Sequence, residues 1–332
     1  MLLITLLSAC GSVMPSAPEP GVSPEPAETA EAPRLVGLAD TPAPEAAAAP
    51  SPVPDVSAEE ETGFSVVWIS DTQHYSELHP DMLRGMMAWA AEKRAEENIQ
   101  LLVHTGDMIN RPGSARQWTA ATEALDALDG IPFLALAGNH DVGTQTLDYG
   151  PFLEHIASRY PDVSAFFAGG RGAFALLGTE EYGFLFIGTG YGYSDESVAW
   201  LRETIQRYPL YTAVLCVHSY LNSNGSLTDG GEILYEEVVK KCPTVRLVLC
   251  GHRDGVAFLQ HDFDYNNDGL ADRQVHVMLY NYQEDGTDGG GGYMRILRFD
   301  TGSRSVAVET YSPMLDAYRS GEGERFVIEN AF

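Results

Sequence analysis

Five apolar stretches of the chain end in residues that can hold a cation or a phosphate group. The ends read SDTQH (70–74), TGDMIN (105–110), AGNHDVG (137–143), CVHSYL (216–221) and CGHRDG (250–255). A single aspartate at such an end is often only a helix cap, and a single histidine in an apolar stretch is often a core residue. Five such ends in order along one chain are poorly explained by capping, and they predict a metal or phosphate site.

The stretches that carry these ends alternate with amphipathic segments. Strands are predicted at 64–70, 101–105, 132–137, 183–188, 211–218 and 245–252, and helices at 81–97, 115–128, 194–208 and 232–241. Alternating βα units with continuous apolar strands favour an α/β fold with a sheet covered on both faces. Ligands are then expected at the carboxyl ends of the strands. Four later stretches predict consecutive antiparallel strands with glycine-rich turns, at 256–263, 273–282, 293–300 and 305–312.

Composition divides the chain into three parts. Residues 1–10, MLLITLLSAC, form a short apolar run that resembles a bacterial lipobox, in which Cys10 becomes the lipidated end of the mature chain. The basic segment that usually begins a signal peptide is missing, so a chance apolar start is the alternative. Residues 11–62 are rich in Pro, Ala and Glu and predict a disordered linker, because few large apolar groups offset the entropy of ordering. Residues 63–332 are the folded domain.

The lipobox predicts a bacterial lipoprotein that is extracytoplasmic and held at the cell membrane by its lipid anchor. The net charge of −27 argues against a nucleic-acid-binding surface, which would need basic patches. Cys216, Cys242 and Cys250 lack metal-type spacing. Cys216 and Cys250 lie in apolar runs and are predicted to be buried thiols, with a disulfide between them as the alternative. The sequence carries no signal for the oligomeric state.

The order of the strand ends resembles the calcineurin-like metallophosphoesterase superfamily. The resemblance is carried by GD at 106–107, GNHD at 138–141, the strand-end His218 and GH at 251–252, and it runs from about Phe64 to Tyr311. It extends to bacterial members that begin with SDTQ. It implies a four-layer αββα sandwich with mixed sheets and two divalent metal ions. The implied reaction is hydrolysis of a phosphate mono- or diester by a dinuclear centre with a bridging hydroxide.

The resemblance also implies a role for each matched residue. The implied metal ligands are Asp71, Gln73, Asp107 and Asp254 for the first ion and Asp107, Asn139, His218 and His252 for the second, with Asp107 bridging both. His140 would contact the phosphate and protonate the leaving group, with Asp141 as its orienting partner. Two close cations polarise the phosphoryl oxygens and lower the pKa of a bridging water, so that hydroxide exists near neutral pH.

Two residues depart from the usual pattern, and both fall on the first ion. Gln73 stands where the family usually has the histidine of D-x-H, and Asp254 stands where it usually has the last histidine of GHxH. The first site then offers only oxygen, which suits Mg²⁺, Mn²⁺ or Ca²⁺, whereas imidazole in the second suits Zn²⁺ or Fe. We therefore expect two ions drawn from Mn, Fe, Zn or Mg. The alternative is a catalytically weak or inactive surface lipoprotein that binds metal and recognises a ligand or partner.

Two further features suggest binding of ions or substrate. Arg253 lies between two implied ligands and is predicted to steer an anionic phosphate ester, with a solvated arginine paired to an acid as the alternative. A calcium-loop spacing is formed by Asp264, Asn266, Asp268 and Asp272. It predicts a structural Ca²⁺ site, and a polar hairpin turn is the alternative because the usual glutamate is missing. The loops that would select a substrate carry no recognisable motif.

Overall fold

A computed structural model describes residues 63–160, 165–179, 182–286 and 288–332. The signal peptide predicted at 1–10, its Cys10 and the linker predicted at 11–62 lie outside the described residues. Among the helices that are described, none combines the length and the apolar character that a membrane-spanning segment requires.

The described chain alternates strands and helices and then continues in strands alone. The strands are β1 (Gly63–Ile69), β2 (Ile99–His104), β3 (Phe133–Ala135), β4 (Ala165–Phe167), β5 (Gly172–Gly178), β6 (Gly183–Thr189), β7 (Tyr211–Val217), β8 (Val245–Cys250), β9 (Gly255–Phe263), β10 (Arg273–Asn281), β11 (Met294–Asp300), β12 (Ser305–Ser312), β13 (Ala317–Tyr318) and β14 (Arg325–Ile328). The helices are α1 (Gln73–Leu78), α2 (Pro80–Lys93), α3 (Ala115–Asp126), α4 (Asn139–Val142), α5 (Gly150–Phe152), α6 (Asp195–Arg207) and α7 (Asp229–Leu234). Single π-helical turns, Leu153–Ala157 and Tyr235–Val239, continue α5 and α7.

The strands form two seven-stranded sheets of mixed direction. The first has the order β13-β12-β11-β1-β2-β3, and β14 also pairs with β12. The second has the order β4-β5-β6-β7-β8-β10-β9. Parallel neighbours are β1, β2 and β3 in the first sheet and β6, β7, β8 and β10 in the second, so their carboxyl ends lie along one edge of each sheet.

Alternate side chains of the central strands face different layers, which explains their continuous apolar sequences. In β1, Val66 and Trp68 pack in the core shared with the second sheet, whereas Val67 and Ile69 pack with residues of α2 and α3. The same alternation places the second sheet between that shared core and a third cluster containing α6 and α7. Both faces of each sheet are therefore buried. The four-layer αββα sandwich with mixed sheets is confirmed.

The C-terminal strands pair differently from the prediction of four consecutive antiparallel strands. β9 and β10 form an antiparallel pair in the second sheet, and β11 and β12 form one in the first. The chain therefore crosses between the sheets after Asn281 and before Met294. Alternating apolar residues identify a strand, but tertiary packing selects its partner, and β10 and β11 are both buried on two faces.

The cysteines of the described chain are reduced and internal. Cys216, Cys242 and Cys250 are all buried free thiols. The predicted burial of Cys216 and Cys250 is therefore confirmed, and the disulfide alternative is not formed. Burial raises the pKa of the Cys250 thiol to about 12, which makes this group unreactive at neutral pH.

Candidate metal centre

The turns that follow β1, β2 and β8 share an uncommon backbone conformation. Asp71, Asp107 and His252 have φ values of 54°, 59° and 72°. Residues other than glycine seldom adopt this left-handed region, and the strain of about 1–3 kcal/mol per residue is typical of functional sites. At each turn, a side chain with metal-binding atoms occupies the strained position.

Glycines next to these turns let the backbone approach two carboxylates. A Cβ atom on Gly138 would lie 2.1 Å from Oδ1 of Asp107. A Cβ atom on Gly251 would lie 2.0 Å from Oγ of Ser70 and 2.2 Å from Oδ2 of Asp71. All three distances are far below van der Waals contact, so only glycine is accommodated. The glycines of the GN and GH motifs are therefore part of the site's construction.

Three side chains bring their ligand atoms to one place. The atoms offered by Asp107, His218 and His252 lie within 4.8 Å of one another, and no other group of three His, Cys, Asp or Glu in the described ranges does so. His218 is fully buried, with Nδ1 3.0 Å from the carbonyl oxygen of Thr105. Since that carbonyl can only accept, Nδ1 carries the proton and Nε2 has a free lone pair when the ring is neutral. Nε2 lies 3.0 Å from Oδ1 of Asn139 and 3.4 Å from Oδ2 of Asp107.

The charges of this group favour an added cation. Burial raises the pKa of Asp71 to about 7, and repulsion from Asp107 adds to this despite the attraction of His218. Burial also opposes ionisation of Asp107, but the charge of His218 beside it lowers the pKa of Asp107 overall. Burial would lower the pKa of His218, yet the carboxylate of Asp107 outweighs it and raises that pKa to about 9. The buried carboxylates of Asp71 and Asp107 thus share a single positive partner, His218. Divalent cations would supply the missing positive charge.

Asp71 is held from both sheets. Oγ of Ser70 donates to Oδ2 of Asp71 at 2.6 Å, and the backbone N–H of His252 donates to the same oxygen at 3.0 Å. Asp71 is only 2% exposed. These bonds do not use all the lone pairs of the carboxylate, so it can also bind a cation.

Gln73, the first residue of α1, has one satisfied and one unsatisfied amide atom. Its Nε2 donates to Oε1 of Gln283. Its Oε1 is buried and has no hydrogen-bond partner in the described part of the chain. Leaving a buried acceptor unpaired costs about 1–3 kcal/mol. A hard cation bound by this oxygen would remove that cost, so the residue present fits the metal that the sequence implies.

Arg253 and Asp254 are exposed in the turn that follows β8. Oδ1 of Asp254 lies 3.4 Å from Nε2 of Gln283, and the Asp254 carbonyl accepts from Oγ of Ser223 at 2.8 Å. Asp254 is outside the group of ligand atoms within 4.8 Å. The structure therefore relates Asp254 to Gln73 through Gln283. Gln283 was missed from the sequence because no motif surrounds it.

His140 lies half-buried beside Asp107. Its backbone N–H donates to Oδ1 of Asp107 at 2.8 Å, and its Nδ1 is 3.0 Å from the carbonyl oxygen of Asn110. This carbonyl fixes Nδ1 as the protonated nitrogen and turns Nε2 outward as the free one. Asn110 is the last residue of TGDMIN, and no sequence signal indicates this role for its backbone carbonyl.

Asp141 does not orient His140, in contrast to the prediction. Its carboxylate accepts the backbone N–H groups of Gly138 at 2.7 Å, Asp107 and Met108 at 2.9 Å each, and Ile109 at 3.0 Å. Adjacent residues of a helix point in different directions, so Asp141 faces the turn after β2 while His140 faces the rim. Asp141 instead holds the turn that carries Asp107.

A cavity of about 480 Å³ opens beside His252. Its walls come from several loops and include Leu147, Tyr191, Tyr193, Asn222, Ile233 and Arg253. Arg253 is the only lysine or arginine among the described residues that line it. The volume is within the range of pockets that bind small organic molecules.

The segment with calcium-loop spacing is an exposed hairpin loop between β9 and β10. Oδ1 of Asp264 accepts from the backbone N–H of Asn267 at 2.6 Å, and Oδ2 accepts from that of Gly269 at 2.9 Å. Oδ2 of Asp272 accepts from the backbone N–H of Tyr265 at 2.6 Å. Asp264, Asp268 and Asp272 do not form a group of three carboxylates with ligand atoms within 4.8 Å among the residues that the structure describes. Nδ2 of Asn266 instead donates to Oδ2 of Asp268 at 3.1 Å and to Oδ1 of Asp272 at 3.3 Å. The contacts are those of a polar hairpin turn.

Known proteins resemble this chain in sequence and in fold. Residues 64–253 match the sequence model of the calcineurin-like phosphoesterase family. The uncharacterized protein YvnB of Bacillus subtilis (strain 168) is 36% identical over 256 residues, which cover 75% of this chain and 20% of that protein. The chain thus spans about a fifth of that relative's length.

Two further similarities involve a curated protein and a solved structure. A probable cyclic nucleotide phosphodiesterase of Moraxella catarrhalis (strain BBH18) is 26% identical over 248 residues, covering 68% of this chain and 86% of that protein. The crystal structure of a dimetal phosphatase from Danio rerio superposes with a TM-score of 0.55 at 12% identity, covering 80% of this chain and 99% of that one. At this identity the structural likeness concerns the fold.

Proposed function

This chain belongs to the calcineurin-like phosphoesterase family, and we propose that it hydrolyses phosphate mono- or diesters at a dinuclear metal centre. The observation that carries the proposal is the convergence of ligand atoms from Asp107, His218 and His252 within 4.8 Å. Nε2 of His218 also faces Oδ1 of Asn139. Convergent carboxylate, amide and imidazole groups at the carboxyl ends of strands are suited to holding divalent cations.

We assign the ligands to two ions, drawn from Mn, Fe, Zn or Mg. Asp71, Gln73 and Asp107 would hold the first ion with oxygen atoms, whereas Asp107, Asn139, His218 and His252 would hold the second. Asp254 is the residue that the resemblance implies as a further ligand of the first ion, and its Oδ1 lies 3.4 Å from Nε2 of Gln283. When bound, the ions would polarise the phosphoryl oxygens of the ester and make hydroxide available near neutral pH.

His140 would serve as the general acid of this reaction. Nδ1 is committed to the Asn110 carbonyl at 3.0 Å, so Nε2 is the atom that can hold a proton for the leaving oxygen. The bond from the His140 backbone N–H to Oδ1 of Asp107 keeps His140 next to the carboxylate that would hold the ions. Asp141 accepts three backbone N–H groups of the turn that carries Asp107 and the N–H of Gly138, next to the helix that carries His140, and thereby supports both residues.

The cavity beside His252 would accept the organic part of the substrate. Its volume of about 480 Å³ exceeds what a phosphate group needs, and Arg253 supplies positive charge at its wall. The Moraxella relative is described as a probable cyclic nucleotide phosphodiesterase. That similarity favours a diester over a monoester.

The competing function is a weak or inactive protein that keeps the fold, binds metal and recognises a ligand. The exposure of Asp254 is the observation that favours it, because Asp254 stands where the family usually has a histidine ligand of the first ion. The two functions differ in whether hydrolysis accompanies metal binding.

Metal-dependent hydrolysis is the direct test. The purified protein would be stripped of metal with a chelator and assayed with aryl phosphate monoesters and diesters after addition of Mn²⁺, Mg²⁺, Zn²⁺ or Fe²⁺. We expect activity with at least one ion and its loss in Asp107→Asn, with Asp264→Asn of the exposed hairpin loop as the matched control. Metal binding without hydrolysis under any of these conditions would support the competing function.

We also propose that Cys10 carries a lipid anchor that places the protein at the outer side of a bacterial cell membrane. The support is the LSAC sequence at 7–10 followed by a long segment rich in Pro and Ala. Fractionation of cells that produce the protein and its Cys10→Ser variant tests this. The variant should leave the membrane fraction, and retention there would contradict the anchor.

A further inference from the structure

We propose that Gln283 is a positioning residue for the first metal ion: it holds the side-chain amide of Gln73 so that Oε1 of Gln73 faces the ion. The two residues are 210 positions apart, and Nε2 of Gln73 donates to Oε1 of Gln283. The inference rests on the proposed function, because it concerns the ion that Gln73 would bind.

Gln283 is itself fixed at two further points. Its backbone N–H donates to Oδ1 of the buried Asn281 at 2.9 Å. Its Nε2 lies 3.4 Å from Oδ1 of Asp254. The amide thus has its oxygen directed at Gln73 and its nitrogen directed at a carboxylate. A carboxylate can only accept, so Asp254 selects this orientation over the flipped one.

The orientation of Gln73 decides whether it can bind a cation. An amide presents a partly negative oxygen at one end and two N–H donors at the other. Because Gln283 accepts from Nε2, the opposite atom, Oε1, is the one left unpaired, and it is buried without a partner in the described chain. If the amide were flipped, N–H groups would point toward the cation and repel it.

This arrangement gives Asp254 an indirect role. Asp254 is exposed and outside the converging ligand group, yet it contacts the residue that orients Gln73. Three polar side chains are thus linked by contacts in the order Asp254, Gln283 and Gln73, and the last of them carries the unpaired oxygen. Residues that orient metal ligands in this manner typically change metal affinity by about 10–100-fold when they are replaced.

The test is the binding of Mn²⁺ to the chelator-treated full chain, followed by calorimetry and by electron paramagnetic resonance. We expect two bound ions in the unaltered protein, with the resonance of a spin-coupled pair. Gln283→Leu removes the acceptor and should weaken one of the two ions by about 10–100-fold, leaving the spectrum of isolated Mn²⁺. The double variant Gln283→Glu with Asp254→Asn keeps an acceptor for Nε2 of Gln73, avoids two facing carboxylates and should restore the binding of both ions.

A matched control is Gln260→Leu, since Gln260 is an exposed glutamine whose side chain contacts Asp262 on the same strand. This variant should bind both ions unchanged. If circular dichroism shows that Gln283→Leu is unfolded, Gln283→Asn replaces it, because shortening the side chain withdraws the acceptor without adding an apolar group. The same weakening of one ion is then expected.

Two results would overturn the inference. One is binding of both ions by folded Gln283→Leu or Gln283→Asn with the affinity of the unaltered protein. The other is an equal loss in the double variant Gln283→Glu with Asp254→Asn. If the unaltered protein binds two ions and the Gln283 variants behave as expected but no ester is hydrolysed, the proposed function fails while the inference stands. If the unaltered protein binds fewer than two ions, both fail.

Discussion

The backbone N–H of His252 donates to both carboxylate oxygens of Asp71, at 3.2 Å to Oδ1 and 3.0 Å to Oδ2. Asp71 follows β1 in the first sheet, and His252 follows β8 in the second. The bond therefore joins the two sheets at the point where the candidate ligands meet. Gly251 makes this approach sterically feasible, which gives the first prediction.

Gly251→Ala should disrupt the candidate site. The new Cβ would lie 2.2 Å from Oδ2 of Asp71, so the turn or the carboxylate must move, at a cost of about 1–3 kcal/mol. We expect reduced metal affinity and a lower melting temperature, measured by calorimetry and thermal unfolding. Gly113→Ala is the control, because a Cβ there meets nothing within 4 Å. Equal behaviour of the two variants would contradict the steric argument.

His140→Ala should affect substrates according to their leaving groups. A general acid matters most when the leaving oxygen is basic, so an alkyl phosphate ester should lose about 10²–10⁴-fold in kcat. A p-nitrophenyl ester, whose leaving group needs little protonation, should lose much less. The measurement is kcat for both esters in both proteins, with His155→Ala as control because His155 stacks on Trp118 in the outer layer. The same loss for both esters would argue against proton donation by His140.

Mn²⁺ should stabilise the unaltered protein through Asp107. A ligand that binds only the folded state adds about 2.7 kcal/mol to the free energy of unfolding when its free concentration is 100 times its Kd. Asp107→Asn removes the carboxylate that we propose both ions share, so the melting temperature of this variant should no longer rise when Mn²⁺ is added after chelation. Asp264→Asn should respond as the unaltered protein does. Thermal unfolding with increasing Mn²⁺ provides the measurement, and stabilisation that persists in Asp107→Asn would exclude its role as a ligand.

His104 should make the metal-free protein less stable as the pH falls below neutrality. Burial lowers the pKa of His104 from 6.5 to about 3, so between these values the unfolded chain binds a proton that the folded chain does not. The free energy of unfolding then decreases from pH 7 toward pH 5 by about 2 kcal/mol on account of this residue. Well above pH 6.5, His104 is neutral in both the folded and the unfolded chain and no longer makes the free energy of unfolding depend on pH.

The variant His104→Asn isolates this effect. Nδ1 of His104 accepts from the N–H of Gly106 at 3.1 Å, and an asparagine oxygen can take the same bond without titrating. Denaturant unfolding at pH 7 and pH 5 in the presence of a chelator should show a smaller loss in the variant by about 2 kcal/mol. Identical losses in the two proteins would mean that His104 does not contribute.

The sequence allowed the layers and most strand ends to be predicted because both follow from local patterns. Continuous apolar runs such as 64–70 require burial on both faces of a sheet. These runs therefore predicted the central strands of both sheets. Ligand candidates at the ends of parallel strands must lie along one edge, which is where the structure places Asp71, Asp107, His218 and His252. These inferences need only residue type and order.

Contacts between distant segments could not be predicted in this way. Gln283 meets Gln73 across 210 positions, and nothing in its own surroundings indicates that contact. The partner of His140 was missed because a backbone carbonyl, that of Asn110, has no sequence signal. Asp141 was assigned to His140 because it is adjacent, whereas helix geometry turns it toward four backbone N–H groups. The change of sheet between β10 and β11 depends on packing that strand periodicity does not encode.

The position of β11 determines where the protein can be shortened. The family match ends at residue 253, but β11 lies between β1 and β12 in one sheet, and β10 lies between β8 and β9 in the other. A fragment that stops at the family boundary would leave β1 and β8 as open edges with unpaired backbone groups. Such edges recruit strands from other molecules and cause aggregation. Recombinant fragments should therefore extend at least through β14 to Ile328.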